Sequence, residues 1–432
     1  MPTAAEVQEK YEKYVVKSCV KRIEPVVLVE GKGATVKDID GNEYLDCFSG
    51  ISVVNAGHAN PKVVAAIKDQ TDKLFHVCSY VYYSVPMAEL AERLAKMNPW
   101  GLQKTFFGNS GAEAIECGLK LGRKFKKKHE IIALMCSFHG RTLGTLSVTG
   151  QRIRKKYDMG PYLGGVFFAP APYCYRCALG LEYPSCGTKC ATFVEDLLEY
   201  ATTGDVAEFI AEPILGEAGI VVPPPDYFTT VMKVLKKNDI LLIVDEVQTG
   251  FGRTGKMFGI EHYNVKPDIV CMAKGIANGL PLGACLARPD IGDAFEPGDH
   301  LSTFGGNPIS CAAANANIKY LLEEDLSGQA AKKGEILIKR LNELMSKSEL
   351  IGDVRGKGLM IGVELVRDLK TKTPASDEAA QIRELCRKRK VLIGHGGIKS
   401  NVLRVQPPLV ITEKEIDTLV DTIEASLKEV GK

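Results

Sequence analysis

The chain has 432 residues, is 45% hydrophobic and carries 55 basic against 53 acidic side chains, a formal charge of +2. Such a length can bury a large core and suits one big domain plus a smaller one. The balanced charge leaves no footprint for nucleic acid or an anionic membrane; no apolar run approaches the ~20 residues of a membrane span, and the charged N-terminus does not read as a signal peptide, so a cytoplasmic location is expected.

In chain order, an amphipathic helix comes first. The segment 26–50, VVLVEGKGATVKDIDGNEYLDCFSG, alternates apolar and polar residues between Gly turns, which predicts a small antiparallel meander. NPKVVAAIKDQTDKLF and VPMAELAERLAKM carry helical spacing. Short apolar runs then alternate with helices: Lys104–Phe107, Glu130–Cys136, Gly165–Phe168, Glu208–Glu212, Ile240–Asp245, Asp268–Met272 and Gly283–Ala287. That pattern predicts an α/β fold with a mostly parallel seven-stranded sheet in a large domain, 61–307. The last third has helices near Pro308–Glu323 and Gly328–Ser346 and strand runs GLMIGVELV and LRVQPPLVI. It reads as a smaller α+β domain, 308–432, joined by the N-terminal segment 1–60. The basic runs Arg123–Lys128 and Arg152–Lys156 are expected to be solvated faces.

The thirteen cysteines are mostly scattered in apolar segments, such as Cys136, Cys271 and Cys285, which fits buried thiols in a reducing compartment. Cys174, Cys177, Cys186 and Cys190 form two close pairs. Their spacing is open to a zinc knuckle, disulfides or plain thiols.

Chemistry concentrates around Ile240–Leu282. The run ILLIVDEVQTG suits a strand buried on both faces and ends at Asp245, while PDIVCMAKGIANGLPLG carries Lys274 just past its apolar part. Groups at the carboxyl ends of strands in an open α/β sheet converge on one crevice, so Asp245 and Lys274 are expected to face a common pocket. Alone, such a pair is most often a salt bridge. Pyridoxal phosphate, however, needs a lysine, a carboxylate, an aromatic face and backbone amides, and the chain offers all four. The strand-to-helix turn Gly108–Ala112 presents amides, the Ser110 hydroxyl and a helix dipole.

DEVQTGFGRTGK followed by MAKG resembles the signature of the class III pyridoxal-phosphate aminotransferases, and the resemblance runs from about Asp38 to about Thr412. It implies that Lys274 carries the cofactor as a Schiff base and shuttles the substrate proton, with Asp245 on the pyridine nitrogen. Ser110, Gly111 and Ala112 would hold the phosphate, with Glu113 behind them. Phe138, beside His139, would stack on one ring face and Val247 on the other, while Gln248 orients the 3′-oxygen. Arg141 would receive a carboxylate remote from the reacting amine. In the loop bearing Glu212 and Glu217, Glu217 would gate Arg404, the receptor for an α-carboxylate; Leu215 stands where the commonest form of this loop has Gln. Thr303 would reach the phosphate of a partner subunit, which implies at least a homodimer. Ile51, Tyr80, Tyr82 and Tyr83 are further candidates for shaping the pocket, and no metal is assigned to it. The implied reaction moves an amino group from an ω-amino donor resembling 4-aminobutyrate to a 2-oxo acid acceptor. Alanine–glyoxylate or β-alanine–pyruvate transamination, or amino-acid racemisation on the same scaffold, are the alternatives.

Overall fold

Glycine turns shape the first sheet. In the computed structural model, which describes residues 2–16, 18, 23–152, 154 and 157–431, strands β1 (Leu28–Lys32), β2 (Thr35–Asp38) and β3 (Glu43–Asp46) form the expected antiparallel meander. Gly33 and Gly41 turn it at φ 58° and 87°, a region that residues with a Cβ rarely enter. The helix Ala4–Tyr14 is present as well, but none of its residues is buried and Tyr11 and Tyr14 are exposed. Its amphipathic pattern therefore has no counterpart among the described residues of this chain.

All seven strands expected in the large domain form: β4 (Lys104–Gly108), β5 (Glu130–Leu134), β6 (Val166–Ala169), β7 (Val206–Ala211), β8 (Leu241–Asp245), β9 (Ile269–Met272) and β10 (Gly283–Ala287). They lie in the order β4-β10-β9-β8-β7-β5-β6, parallel except for β10, which runs against both neighbours. Every residue of β7, β8 and β9 is buried, which explains why their sequences are continuous apolar runs instead of alternating ones. The helix Gly111–Lys126 covers one face, packing Ile115 and Leu121 with Ile131, Ile243 and Ile269. Phe209, Tyr227, Phe228 and Val270 belong to the larger core on the other face.

Glu208 interrupts that apolar interior. It is fully buried in β7, and neither carboxylate oxygen has a hydrogen-bond partner. A Cβ on Gly122 would come within 1.8 Å of its Oε2, so glycine in the covering helix makes room for it. Burial pushes this carboxyl well above its usual range, against the pull of Arg123. A raised folded-state pKa makes folding favourable below the unfolded value and progressively less so as pH rises above it. Glu208→Gln is thus expected to stabilise the protein by about 1–3 kcal/mol at pH 8 and by clearly less at pH 5. Thermal melts of both proteins across that range check it, and a gap independent of pH would contradict it.

The small domain holds β11 (Ile351–Lys357), β12 (Met360–Asp368), β13 (Thr373–Pro374), β14 (Val391–Leu392), β15 (Gly394–Gly396) and β16 (Val402–Val405). β14 pairs in parallel with β3, so the two ends of the chain share one sheet. The run LRVQPPLVI is strand only through Val405, because Pro407 and Pro408 lack the N–H that a ladder requires. The helices Pro308–Glu323 and Leu326–Met345 form as expected, the first packing on Pro61–Lys73 and Val85–Met97.

Arg253, within the GFGRTGK motif, ties the parts together. Fully buried, it donates to the carbonyls of Leu359 (3.0 Å) and Pro407 and to Asn55 Oδ1 (2.7 Å). The basic run 123–128 is not merely solvated, since Lys124 pairs with Asp299 and the mostly buried Lys126 with Asp239. In the second run, residues 153, 155 and 156 lie outside the described residues. No described helix is long and apolar enough to cross a membrane.

Candidate active site

Five strands deliver a turn or side chain to one place. Ser110 follows β4, Phe138 and His139 follow β5, Glu212 follows β7, Asp245 ends β8 and Lys274 lies just past β9. These are carboxyl ends, where an open α/β sheet gathers its ligand contacts. Together with Gly111, Ala112, Glu217, Val247 and Gln248 they line a cavity of about 340 Å³.

The turn before the helix Gly111–Lys126 is pinned from both sides. Ser110 Oγ accepts from Glu113 N at 3.2 Å, and the Glu113 carboxylate accepts from the Asn109 backbone at 2.6 Å and from its side-chain amide at 3.0 Å. The first helix amides have no intrahelical partner and carry the positive end of the dipole, which makes an anion cradle. Gly111 keeps it open, because a Cβ there would stand 2.8 Å from Val247.

Asp245 is 4% exposed and fixed in orientation. Its Oδ1 accepts from Val247 N at 2.9 Å, and its Oδ2 lies 2.7 Å from His139 Nδ1. Lys274 is half-buried, at φ 48°. Desolvation depresses its pKa and Arg404 adds to this, while Glu217 and Asp245 oppose it. Gln248 Oε1 accepts from Gln406 Nε2 at 3.0 Å, which orients it at the cavity wall.

Glu212 and Glu217, which a Gly-rich loop would ordinarily leave on the surface, are both withdrawn. Glu212 accepts from Phe138 N and Gly216 N, each at 2.9 Å, and burial lifts its carboxyl to about 7 despite His139. Both its oxygens are thus committed to loop amides. That makes it a clamp between loops at the wall of the cavity. Glu217 Oε1 pairs with Arg404 Nη1, and its Oε2 accepts from Arg154 Nη2 at 3.1 Å. Burial alone would raise its pKa, but Arg404, Lys274 and Arg154 outweigh that and hold it at about 2. Leu215 is buried and pairs its backbone with Val221.

Seven expected residues do not line this cavity, Tyr80, Tyr82 and Tyr83 among them. Arg404 reaches it only through Glu217, and Arg141 is exposed, with Cζ 5.5 Å from the Phe138 ring centroid. Ile51 and Thr303 are exposed. Arg154 corrects the expectation of a solvated basic run: its side chain is 23% exposed and paired with Glu217. Gly279–Leu282 and Val53 also line the cavity and carried no signal beyond the turn-forming Gly and Pro. The four clustered cysteines share a separate cavity of about 20 Å³ as free thiols. Among the described residues, no group of three or more His, Cys, Asp or Glu is arranged to hold a metal.

A lysine and a buried carboxylate facing each other beside an aromatic ring and an anion cradle define a pyridoxal-phosphate enzyme. The chain belongs to the class III aminotransferases: residues 17–427 match the family model described as Aminotransferase class-III. It is 41% identical to a leucine/methionine racemase of Thermococcus litoralis, covering 98% of this chain and 96% of the relative. It is 43% identical to an acetylornithine aminotransferase of Methanothermobacter thermautotrophicus, covering 97% of each. The solved structure of an (S)-enantioselective omega-transaminase from Thermomicrobium roseum superposes with a TM-score of 0.93 at 34% identity, covering 100% of both chains. An amine transaminase from an uncultivated Pseudomonas species, in its PLP-bound form, gives 0.91 at 34% identity, covering 97% of this chain and 99% of the other. The chain is therefore a transaminase-type enzyme that uses pyridoxal phosphate.

Proposed function

We propose that the enzyme transfers an amino group from an ω-amino donor to a 2-oxo acid. The observation that carries this reading is the ion pair of Glu217 with Arg404 beside Lys274. While that pair is closed, Arg404 is not free for an α-carboxylate, so donors that lack one beside their amine are favoured. The relatives reported above are named for leucine/methionine racemisation and acetylornithine transamination and not for 4-aminobutyrate, so the donor is proposed as a class.

Ser110, Gly111 and Ala112 would hold the phosphate, Phe138 and Val247 the two ring faces, Asp245 the pyridine nitrogen and Gln248 the 3′-oxygen. Bound there, pyridoxal phosphate supplies an electron sink conjugated to the carbon that bears the amine. Lys274, which would also anchor the cofactor, takes the proton from that carbon and delivers it to C4′, a task that its depressed pKa suits. Asp245 keeps the opposite nitrogen protonated. Arg404 receives the α-carboxylate of the 2-oxo acid once Glu217 has moved aside, and Arg141 receives the donor's distal carboxylate.

The active unit in this reading is a homodimer. Thr303 lies in an exposed segment with Leu301 and Phe304, whose ring lies 5.1 Å from that of His76 next to exposed Phe75. Asn109 Nδ2 donates to Ser302 Oγ at 3.1 Å, which links this apolar patch to the cradle.

Removing Glu217 frees Arg404 at all times. Glu217→Ala is expected to raise kcat/KM for α-amino donors about tenfold, and Arg141→Ala to lower it about tenfold or more for donors with a distal carboxylate, each the size of one charged hydrogen bond. A donor panel scored by amine transfer to 2-oxoglutarate, pyruvate and glyoxylate tests both. Unchanged donor preference in either variant contradicts its assigned role. The racemase relative favours a second reading, in which one enantiomer of an amino acid yields the other without any 2-oxo acid. The same panel with chiral analysis separates the two.

A further inference from the structure

The cycle just described gives Arg154 no task, yet Arg154 shares Glu217 with Arg404. The carboxylate is held between them, with side chains 23% (Arg154), 14% (Glu217) and 5% (Arg404) exposed. Arg154 also lies over Phe138, its Cζ 5.8 Å from the ring centroid, on the same ring as Arg141. Two guanidinium groups therefore share one carboxylate, and a third lies over the same ring. Burial lowers the pKa of Arg154, Arg141 and Arg404 lower it further, and Glu217 opposes this.

We infer that Arg154 is the second station of the Glu217 gate. The inference rests on the gate reading above. When an α-carboxylate takes Arg404, Glu217 turns away but keeps its ion pair with Arg154. A carboxylate stranded in a partly buried site without a partner is strongly disfavoured, and Arg154 removes that obstacle to opening. Without Arg154, Glu217 has only Arg404 as a guanidinium partner and grips it more firmly. Substrates that need Arg404 then compete poorly, while ω-amino donors, which do not need it, are spared.

The test uses the holoenzyme and follows the two half-reactions separately in single turnovers. Arg154→Leu is expected to weaken the apparent affinity for 2-oxo acids about tenfold, with the limiting rate and the ω-amino donor half-reaction each within about twofold. Arg154→Lys is expected to recover most of the loss, which a variant that merely misfolds would not allow. Pyruvate must show the loss as clearly as 2-oxoglutarate; a loss confined to 2-oxoglutarate would make Arg154 a receptor for its second carboxylate and overturn the inference. In a Glu217→Ala background, Arg154→Leu is expected to have no further effect on acceptor affinity. Additive effects there, or equal losses in both half-reactions, overturn the inference and leave the gate standing. A Glu217→Ala enzyme that handles α-amino donors no better than the wild type overturns the gate and this inference with it.

Discussion

Lys274→Ala is expected to lower the rate of transamination by at least about 10⁴-fold, roughly 5 kcal/mol in the barrier, while the protein keeps its fold. Among the described residues, Lys274 is the one lysine that lines the cavity, so none of them offers a second amine there to move the proton. Arginine side chains such as Arg404, Arg154 and Arg141 do not serve as proton-accepting bases in proteins. Folding is expected to survive because burial already disfavours the charged ammonium, so its removal relieves a desolvation penalty. Ser110, Gly111 and Asp245 remain to hold the cofactor. A visible absorbance band that persists through gel filtration, combined with single-turnover rates near zero, is the expected result. Comparable turnover in the variant and the wild type would remove Lys274 from the chemistry.

The large sheet was readable in the sequence because burial on both faces leaves a plain record. β7, β8 and β9 are buried at every position, and each shows as a short apolar run. The lining residues at strand ends were readable for a related reason: Asp245 and Lys274 break such runs where packing has no use for a charge. Other features depend on partners far away in sequence. Glu217 looks like a surface acid until Arg404 and Arg154 are brought to it from 187 and 63 residues away. Arg154 was disguised by its basic neighbours, since a run of like charges normally faces water. Glu212 is withdrawn by two backbone amides, which leave no mark in composition. Arg253 sits in the family signature, yet its hydrogen bonds show a clamp between segments 55, 359 and 407. The exposed helix Ala4–Tyr14 marks a further limit, because an amphipathic pattern predicts a covered face without saying which chain covers it.

Asp245→Asn separates a catalytic carboxylate from a strand-end ion pair. The substitution preserves shape, and its amide oxygen can still accept from Val247 N as Oδ1 does at 2.9 Å. What it removes is the negative charge 2.7 Å from His139 and facing the cavity. Glu212 cannot stand in, since both its oxygens are engaged by Phe138 N and Gly216 N. Glu217 is held by two arginines. The variant therefore has no carboxylate left to keep the pyridine nitrogen protonated, and the ring accepts the substrate's electron pair less readily. A fall in kcat of about 10²–10³-fold with KM changed by less than about threefold is expected, because the lost interaction matters chiefly in the transition state. The pH dependence of the visible absorbance band should change with it. If kcat instead stays within about twofold of the wild type, Asp245 serves only to pair with His139 at the end of β8, and the proton-holding role passes to another group.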